Sequence, residues 1–237
     1  MKVALITGAN SGIGLATVKT FLQNQYFVIA HYHSSNQNLK TLAGPQLHMI
    51  QADFRRYDEV EKLARESLAV KGHIDVLVNN AAAMVAAPSL EASTEAMFDE
   101  MIQVNLKAPC MLSKLLIGQM IERAWGRIIN VSSVGVKFGG SEATAFYSMA
   151  KAGLEAFSAT LSKIGAKHGV LCNVIRPGVI DTDLHKKTPG KNMDARAKLI
   201  PMGRMGEPKE VASAIFFLAS EGASYMSGNI IGVTGGE

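Results

Sequence analysis

Tyr147 and Lys151 stand four residues apart within the stretch SSVGVKFGGSEATAFYSMAKAG at 132–153. On a helix that spacing puts both side chains on one face, where they can touch. A phenol held beside an ammonium is an acid usable near neutrality. Free tyrosine titrates near about 10, and an adjacent positive charge favours phenolate and lowers that value. Ser132 and Ser133 sit a short loop upstream, after the apolar strand-like run 128–131. A hydroxyl there can hydrogen-bond a substrate carbonyl while the tyrosine gives it a proton. A Y-x-x-x-K pair also arises often by chance as an ordinary helix pair. It gains weight only if the amino terminus supplies a cofactor.

The amino terminus has the form such a cofactor needs. Val3–Ile6 is a short apolar run with β-branched residues, which reads as a strand buried on both faces. The turn TGANSGIG at 7–14 follows, and 15–22 reads as a helix. Strand, glycine-rich turn and helix together make a dinucleotide-binding expectation. Gly8, Gly12 and Gly14 permit a tight turn and a close backbone approach to a pyrophosphate, with the positive end of the helix dipole facing it. Their spacing is G-x-x-x-G-x-G instead of the commoner G-x-G-x-x-G.

Phe27–Tyr32 reads as the second strand. In sites specific for NAD an Asp or Glu about 20 residues past the glycines binds the ribose 2′-hydroxyl. His31, Tyr32, His33, Ser34 and Ser35 stand there instead, and no acidic residue precedes Asp53, while Lys2, Lys19 and Lys40 do. A 2′-phosphate meets no repulsion and finds donors on His33, Ser34 and Ser35. This favours NADP(H) and leaves NAD(H) open, since no arginine follows the strand. A third strand at 47–52 ends at Asp53, whose carboxylate can accept from an adenine amino group or simply serve the loop.

Farther on, Asp58 with Glu61 reads as the cap of a helix running to about Lys71. A fourth strand at 75–78 runs into Asn79-Asn80-Ala81-Ala82, small enough to let the backbone lie close to a ligand. Residues 94–124 read as one long helix holding Asn105, with Pro109 inside it, and Gly126 as its stop. Proline removes a backbone hydrogen bond, so freed carbonyls or a water site near Asn105 follow. The fifth strand spans 127–131, the Tyr147 helix about 146–168, the sixth strand 171–175, ending at Arg176-Pro177-Gly178. Segment 179–206 is longer than a usual connection and carries His185, Lys186, Lys187, Lys191, Arg196 and Lys198. Such segments serve as lids or binding loops. Pro208 opens a last helix over 209–220, and Ile230–Val233 closes the sheet.

Composition bounds the rest. A chain of 237 residues with 48% hydrophobic content suits one large α/β domain, 1–237, with a substrate loop at about 179–206. The net charge is only +4 and its cations are scattered, which argues against a nucleic-acid-binding stripe. Cys110 and Cys172 form no metal-ligand spacing and no disulfide framework. No run reaches the roughly 18 apolar residues of a membrane span, nor the roughly 7 of a signal-peptide core. A cytoplasmic protein is expected.

Strands alternate with helices throughout, implying a single-domain doubly wound (Rossmann) parallel sheet of about seven strands with helices on both faces. The ordered set TGANSGIG at 7–14, NNAA at 79–82, Asn105, Ser133, Tyr147-x-x-x-Lys151 and PGVIDT at 177–182 resembles the short-chain dehydrogenases/reductases over the whole chain. The ending GEPKEVASAIFFLASEGASYMSGNIIGVTGGE is similar to the 3-oxoacyl-(acyl-carrier-protein) reductase branch and its sugar and steroid-type relatives.

The resemblance implies hydride transfer between a nicotinamide and a small-molecule carbonyl or alcohol, with Tyr147 as general acid in reduction and general base in oxidation. Lys151 lowers the tyrosine's pKa and binds the nicotinamide ribose. Ser133, sooner than Ser132, orients the substrate oxygen, and Asn105 holds a water that relays protons to Lys151. Thr7, Gly8, Asn10, Ser11, Gly12, Ile13 and Gly14 cradle the pyrophosphate. Asp53 and Phe54 hold the adenine, His33 and Ser34 the 2′-phosphate, Asn80 with Ala81 an adenosine-side ribose. Pro177, Gly178, Val179, Ile180 and Thr182 form the carboxamide end. A homotetramer or homodimer is implied, through the helices of Asn105 and Tyr147.

Two features bear on substrate. The gap from Ser133 to Tyr147 is one residue longer than the commonest spacing, so Gly139-Gly140 is expected to bulge toward the substrate. The arginines by which the acyl-carrier-protein reductases dock their carrier are replaced here by Ala124, beside Arg123, and by His168, which leaves the carrier protein open as a partner. HYHSS at the second strand end is also similar to NADPH-dependent pteridine and sugar reductases. The reading from another class is a non-catalytic NADP-binding sensor, which has little need for Ser133, Tyr147 and Lys151 together.

Overall fold

The computed structural model describes residues 1–182 and 193–237; His185, Lys186, Lys187 and Lys191 lie outside the described residues. Among the described residues, seven strands pair in parallel in the order β3-β2-β1-β4-β5-β6-β7. They are β1 (Val3–Ile6), β2 (Phe27–Tyr32), β3 (Leu47–Gln51), β4 (Val76–Asn79), β5 (Gly126–Val131), β6 (Val170–Pro177) and β7 (Ile230–Val233). The helices are α1 (Gly12–Gln23), α2 (Gln37–Lys40), α3 (Tyr57–Lys71), α4 (Glu95–Ile102), α5 (Ala108–Glu122), α6 (Gly135–Phe138), α7 (Ala145–Ala166), α8 (Met193–Lys198) and α9 (Pro208–Ala219). This is the doubly wound sheet expected from the alternation of elements.

Successive side chains of a strand point to opposite faces, and here each face meets its own helix layer. Val3, Leu5, Phe27, Ile29, Leu77 and Ile128 pack with Leu63 of α3, Leu112 and Leu116 of α5 and Leu161 of α7. Ala4, Ile6, Val28, Val78, Ile129 and Ile175 pack with Val18 and Phe21 of α1 and Val211 and Ile215 of α9. The strand order reverses between β1 and β4, and ligands of such sheets bind at the carboxyl ends beside that point. The glycine turn, Asn80 and Ser133 follow carboxyl ends of strands, and Pro177 is the last residue of β6.

Several local expectations are corrected. The stretch 94–124 is not one uniform helix. Thr94 caps α4 by accepting from the Met97 N–H, and a π turn over Gln103–Lys107 separates α4 from α5. Its stop is not Gly126: Ala124 takes the left-handed conformation at φ +51°, and Gly126 opens β5, where a Cβ would lie 2.7 Å from Met120. Asp58 does not cap α3; Arg56 holds the cap position and pairs with Asp58 in the first turn at 2.5 Å. Lys2 cannot serve a phosphate at the carboxyl ends. It lies at the other end of β1, on Glu221 at 3.0 Å and over the Trp125 ring. Both cysteines are buried free thiols, pushed up to about 12 by burial. No described helix is long and apolar enough to cross a membrane.

Candidate active site

Three adjoining hollows run along the carboxyl ends of the strands. The first, of about 320 Å³, is lined by the glycine turn, His33, Ser34, Ser35, Asn80 and Thr182. Its floor requires glycine. A Cβ on Gly14 would lie 2.1 Å from the Gly8 carbonyl oxygen, and Gly8 itself sits at φ +63° with Ala81 Cα 2.8 Å from where a Cβ would be. Ser11 is the N-cap of α1, yet its side chain makes no cap hydrogen bond, and the first N–H groups of a helix have no intrahelical acceptor. A glycine cradle with open helix-terminal N–H groups is chemically suited to a pyrophosphate. The residues present fit a dinucleotide.

Other residues expected at the cofactor build this floor and do not line it freely. Thr7 is buried; its hydroxyl donates to the Val78 carbonyl and accepts from the Asn80 and Ala81 N–H groups. The Asn80 side-chain amide donates to the Thr7 and Gly8 carbonyls. Asn10 accepts with Oδ1 from the Asn38 and Leu39 N–H groups, capping α2.

His31, read as one of several polar residues after the glycines, is instead fully buried. Its Nδ1 lies 3.2 Å from the Gly8 nitrogen and its Nε2 3.0 Å from the Ala52 carbonyl oxygen. An N–H can only donate, so Nδ1 accepts from Gly8 and the ring proton sits on Nε2. Burial lowers this imidazole to about 4, so the ring is neutral.

The second hollow, of about 150 Å³, is lined by His31, His33, Asp53, Phe54, Arg55, Ala81 and Ala83 among others. Phe54 stacks on His31 with ring centres 4.2 Å apart. Asp53 is tied to Arg55 by its side chain and by the Arg55 N–H, which holds the carboxyl at about 2. Arg55 is the residue the sequence reading missed. It comes from the β3–α3 loop to 3.2 Å from His33 Nε2. The signal was the Arg55-Arg56 pair that begins two residues past Asp53.

The third hollow, of about 80 Å³, gathers Ser133, Tyr147, Lys151, Pro177, Gly178, Ile180 and Thr182, with Met84 at its side. It shares Ile13, Asn80, Ala82 and Thr182 with the first. Lys151 is buried to 1% exposure and donates to the Val131 carbonyl at 2.8 Å. Ser132 lines the hollow too, but its hydroxyl donates to Glu155, whereas Ser133 accepts from the Gly135 N–H and keeps its hydrogen free to donate. Val179 does not line this hollow; its carbonyl accepts from Gly206. Neither do Gly139 and Gly140 bulge into it: both take positive φ, and Gly140 packs down on Ser148. Asn105 sits in the π turn with its side chain paired twice to the Ala83 backbone and once to the Met101 carbonyl.

The proton-holding groups do not stand as the sequence suggested. Burial pushes the Tyr147 phenol above its ordinary value and pulls Lys151 down to about 8. Lys151 Nζ is 5.6 Å from the Tyr147 ring centre.

Comparison with known proteins gives the family. The family described as enoyl-(acyl carrier protein) reductase matches residues 8–237. A 3-oxoacyl-[acyl-carrier-protein] reductase of Thermotoga maritima is 36% identical over 99% of this chain and 97% of its own. The chain belongs to the short-chain dehydrogenase/reductase family. An acetoacetyl-CoA reductase of Allochromatium vinosum is 34% identical over 99% of this chain and 98% of its own, and a 3-oxoacyl-[acyl-carrier-protein] reductase of Salmonella typhimurium 35% over 99% and 96%. As a short-chain dehydrogenase/reductase the protein is an oxidoreductase working with a nicotinamide cofactor.

Proposed function

We propose that this reductase uses NADPH to reduce the ketone of a small 3-oxoacyl thioester, with Tyr147 as the proton donor. One observation carries the reading. Ser133, Tyr147 and Lys151 line a single hollow that opens into the glycine-floored cleft.

When bound, the nicotinamide supplies the hydride. Ser133 Oγ donates to the carbonyl oxygen and fixes its position, while Tyr147 Oη transfers its proton to that oxygen. A positioned acid of this kind contributes about 10²–10⁴-fold. Lys151, anchored on the Val131 carbonyl, keeps a charge within reach of the phenol as it becomes phenolate. Pro109 has no N–H to give to the Asn105 carbonyl four residues back, so that carbonyl is the group suited to hold a water feeding protons to Lys151. His33, Ser34 and Ser35 at the cleft favour the 2′-phosphate.

The substrate class comes from the relatives, which are named for 3-oxoacyl and acetoacetyl thioesters. Ala124 and His168 stand where the carrier-docking arginines are expected, so the reading is for the thioester and not for the carrier. Assembly as a homotetramer or homodimer through α5 and α7 is supported by Leu115, Met149 and Ile164, large apolar side chains left exposed on these helices.

The test is NADPH and NADH consumption with acetoacetyl-CoA and longer 3-oxoacyl thioesters, for the wild type and Tyr147→Phe. NADPH-linked turnover that collapses in the variant is expected. Turnover by the variant at the wild-type rate would exclude Tyr147 as the acid.

A further inference from the structure

The parallel pairing of β2 with β3 sets Tyr32 opposite Gln51, so His33 and Asp53 leave the sheet side by side. His33 borders both the glycine-floored cleft and the adenine-sized hollow, and it marks where an adenosine ribose passes between them. Arg55 reaches this point from the Asp53 side. Its Nε donates to Asp53 at 2.9 Å, and its Nη2 to Asp53 at 2.6 Å and to His33 at 3.2 Å. Nη1 has no partner among the described residues.

We infer that Arg55 selects a 2′-phosphorylated cofactor, and that Asp53 holds it in place until the phosphate takes over. The inference rests on the dinucleotide reading above. A guanidinium has only donors, so His33 Nε2 accepts from Arg55. Asp53 and Arg55 then cancel, and the corner presents no net charge to repel a phosphate. An exposed pair between neighbours in sequence contributes little stability, so a phosphate dianion displaces the carboxylate from the guanidinium and accepts paired, charge-assisted hydrogen bonds. A plain 2′-hydroxyl offers no such exchange. Arg56 and Lys62 line the next hollow with His33 and Ser34 and pair with Asp58 and Glu59; of the three cations, Arg55 is the one bonded to His33.

Asp53 gives the idea its distinguishing test. Asp53→Asn keeps an oxygen acceptor but removes the charge that competes for Arg55. An Arg55 that serves only as a local loop pair predicts no gain from that change.

The experiment is calorimetric titration of the full chain with adenosine 2′,5′-bisphosphate and with 5′-AMP, ligands that differ only in the 2′-phosphate. The wild type is expected to prefer the bisphosphate. Arg55→Gln is expected to weaken the bisphosphate by roughly 10- to 100-fold, the range of a hydrogen bond to a charged group, and to leave 5′-AMP unchanged. Asp53 also lines the adenine hollow that both nucleotides share, so Asp53→Asn is expected to raise the ratio of bisphosphate to 5′-AMP affinity.

A preference that survives Arg55→Gln, or a ratio of bisphosphate to 5′-AMP affinity unmoved or lowered by Asp53→Asn, overturns the role of Arg55 while the dinucleotide reading stands. If neither nucleotide binds the wild type, that reading falls and this inference with it. Circular dichroism confirms folding, which a half-exposed Arg55 does not govern.

Discussion

Ser132 donates its hydroxyl hydrogen to Glu155 at 2.6 Å, and this bond separates the roles of two adjacent serines. Glu155 is buried and also takes both arms of Arg176, at 2.7 and 2.5 Å. The hydroxyl of Ser132 is therefore part of a bridge joining the ends of β5 and β6 to α7. Ser133 is left as the hydroxyl that the proposed function assigns to the substrate oxygen.

Ser133→Ala is accordingly expected to lower kcat by about 10²-fold or more, with cofactor affinity and melting temperature little changed. Ser132→Ala should do the reverse. It leaves a buried carboxylate one hydrogen bond short, at a cost of about 1–3 kcal/mol, with a smaller loss of kcat. Steady-state kinetics beside thermal melts decide it, and swapped phenotypes would exchange the two roles.

The π turn carries a second prediction. Pro109→Ala returns an N–H to the Asn105 carbonyl and allows the chain to close a regular helical bond there. Stability is expected to hold or rise, since a proline leaves a helix. Turnover is expected to fall by up to about 10²-fold, with a changed pH profile of kcat and intact cofactor binding. Unchanged kcat and profile would show that the carbonyl takes no part in proton supply.

That carbonyl also shows where sequence reasoning reached and where it stopped. Proline chemistry is local, so a freed carbonyl near Asn105 could be read from the spacing alone, although the π turn could not. The bounds of β1, β2 and β7 were equally legible, because each is a short run with β-branched residues set off by polar or glycine residues. Arg55 was not, since its approach to His33 depends on the register of β2 against β3. The burial of His31 was hidden for the same reason: the strand it ends was read correctly, but its two backbone partners, on the glycine turn and at the end of β3, are set by the fold. Asp58 looked like a cap because capping and first-turn acids share residue types, and only the backbone tells them apart.

His31 makes stability depend on pH in a stated direction. The folded ring titrates at about 4 and the unfolded one at about 6.5, so the unfolded chain takes up the proton first as pH falls. The stabilisation is complete above about 6.5 and is lost as pH drops toward 4, amounting to about 3 kcal/mol across that window. Urea unfolding of the wild type and His31→Asn at pH 7, 5 and 4 measures it. The variant, which keeps an acceptor for the Gly8 N–H but cannot titrate, should show a shallower decline. Parallel declines would mean that another group governs acid sensitivity.

Gly14→Ala is the sharpest test of the cleft floor. A methyl there would stand 2.1 Å from the Gly8 carbonyl oxygen and 2.6 Å from the Asn80 side-chain nitrogen. The turn must open to admit it, and the Asn80 bonds to the Thr7 and Gly8 carbonyls must give way. Both changes displace the N–H groups that the proposed function gives to a pyrophosphate. Cofactor affinity measured by fluorescence titration is expected to drop by at least about 10²-fold, as befits the loss of two or more charge-assisted hydrogen bonds. Gly72→Ala supplies the control for the general cost of replacing a glycine. It too has positive φ, +77°, but open space around it and a position at the end of α3, away from the cleft. It should destabilise the fold modestly and leave cofactor affinity intact. If the two variants bound the cofactor equally well, the glycine turn would not be the phosphate cradle.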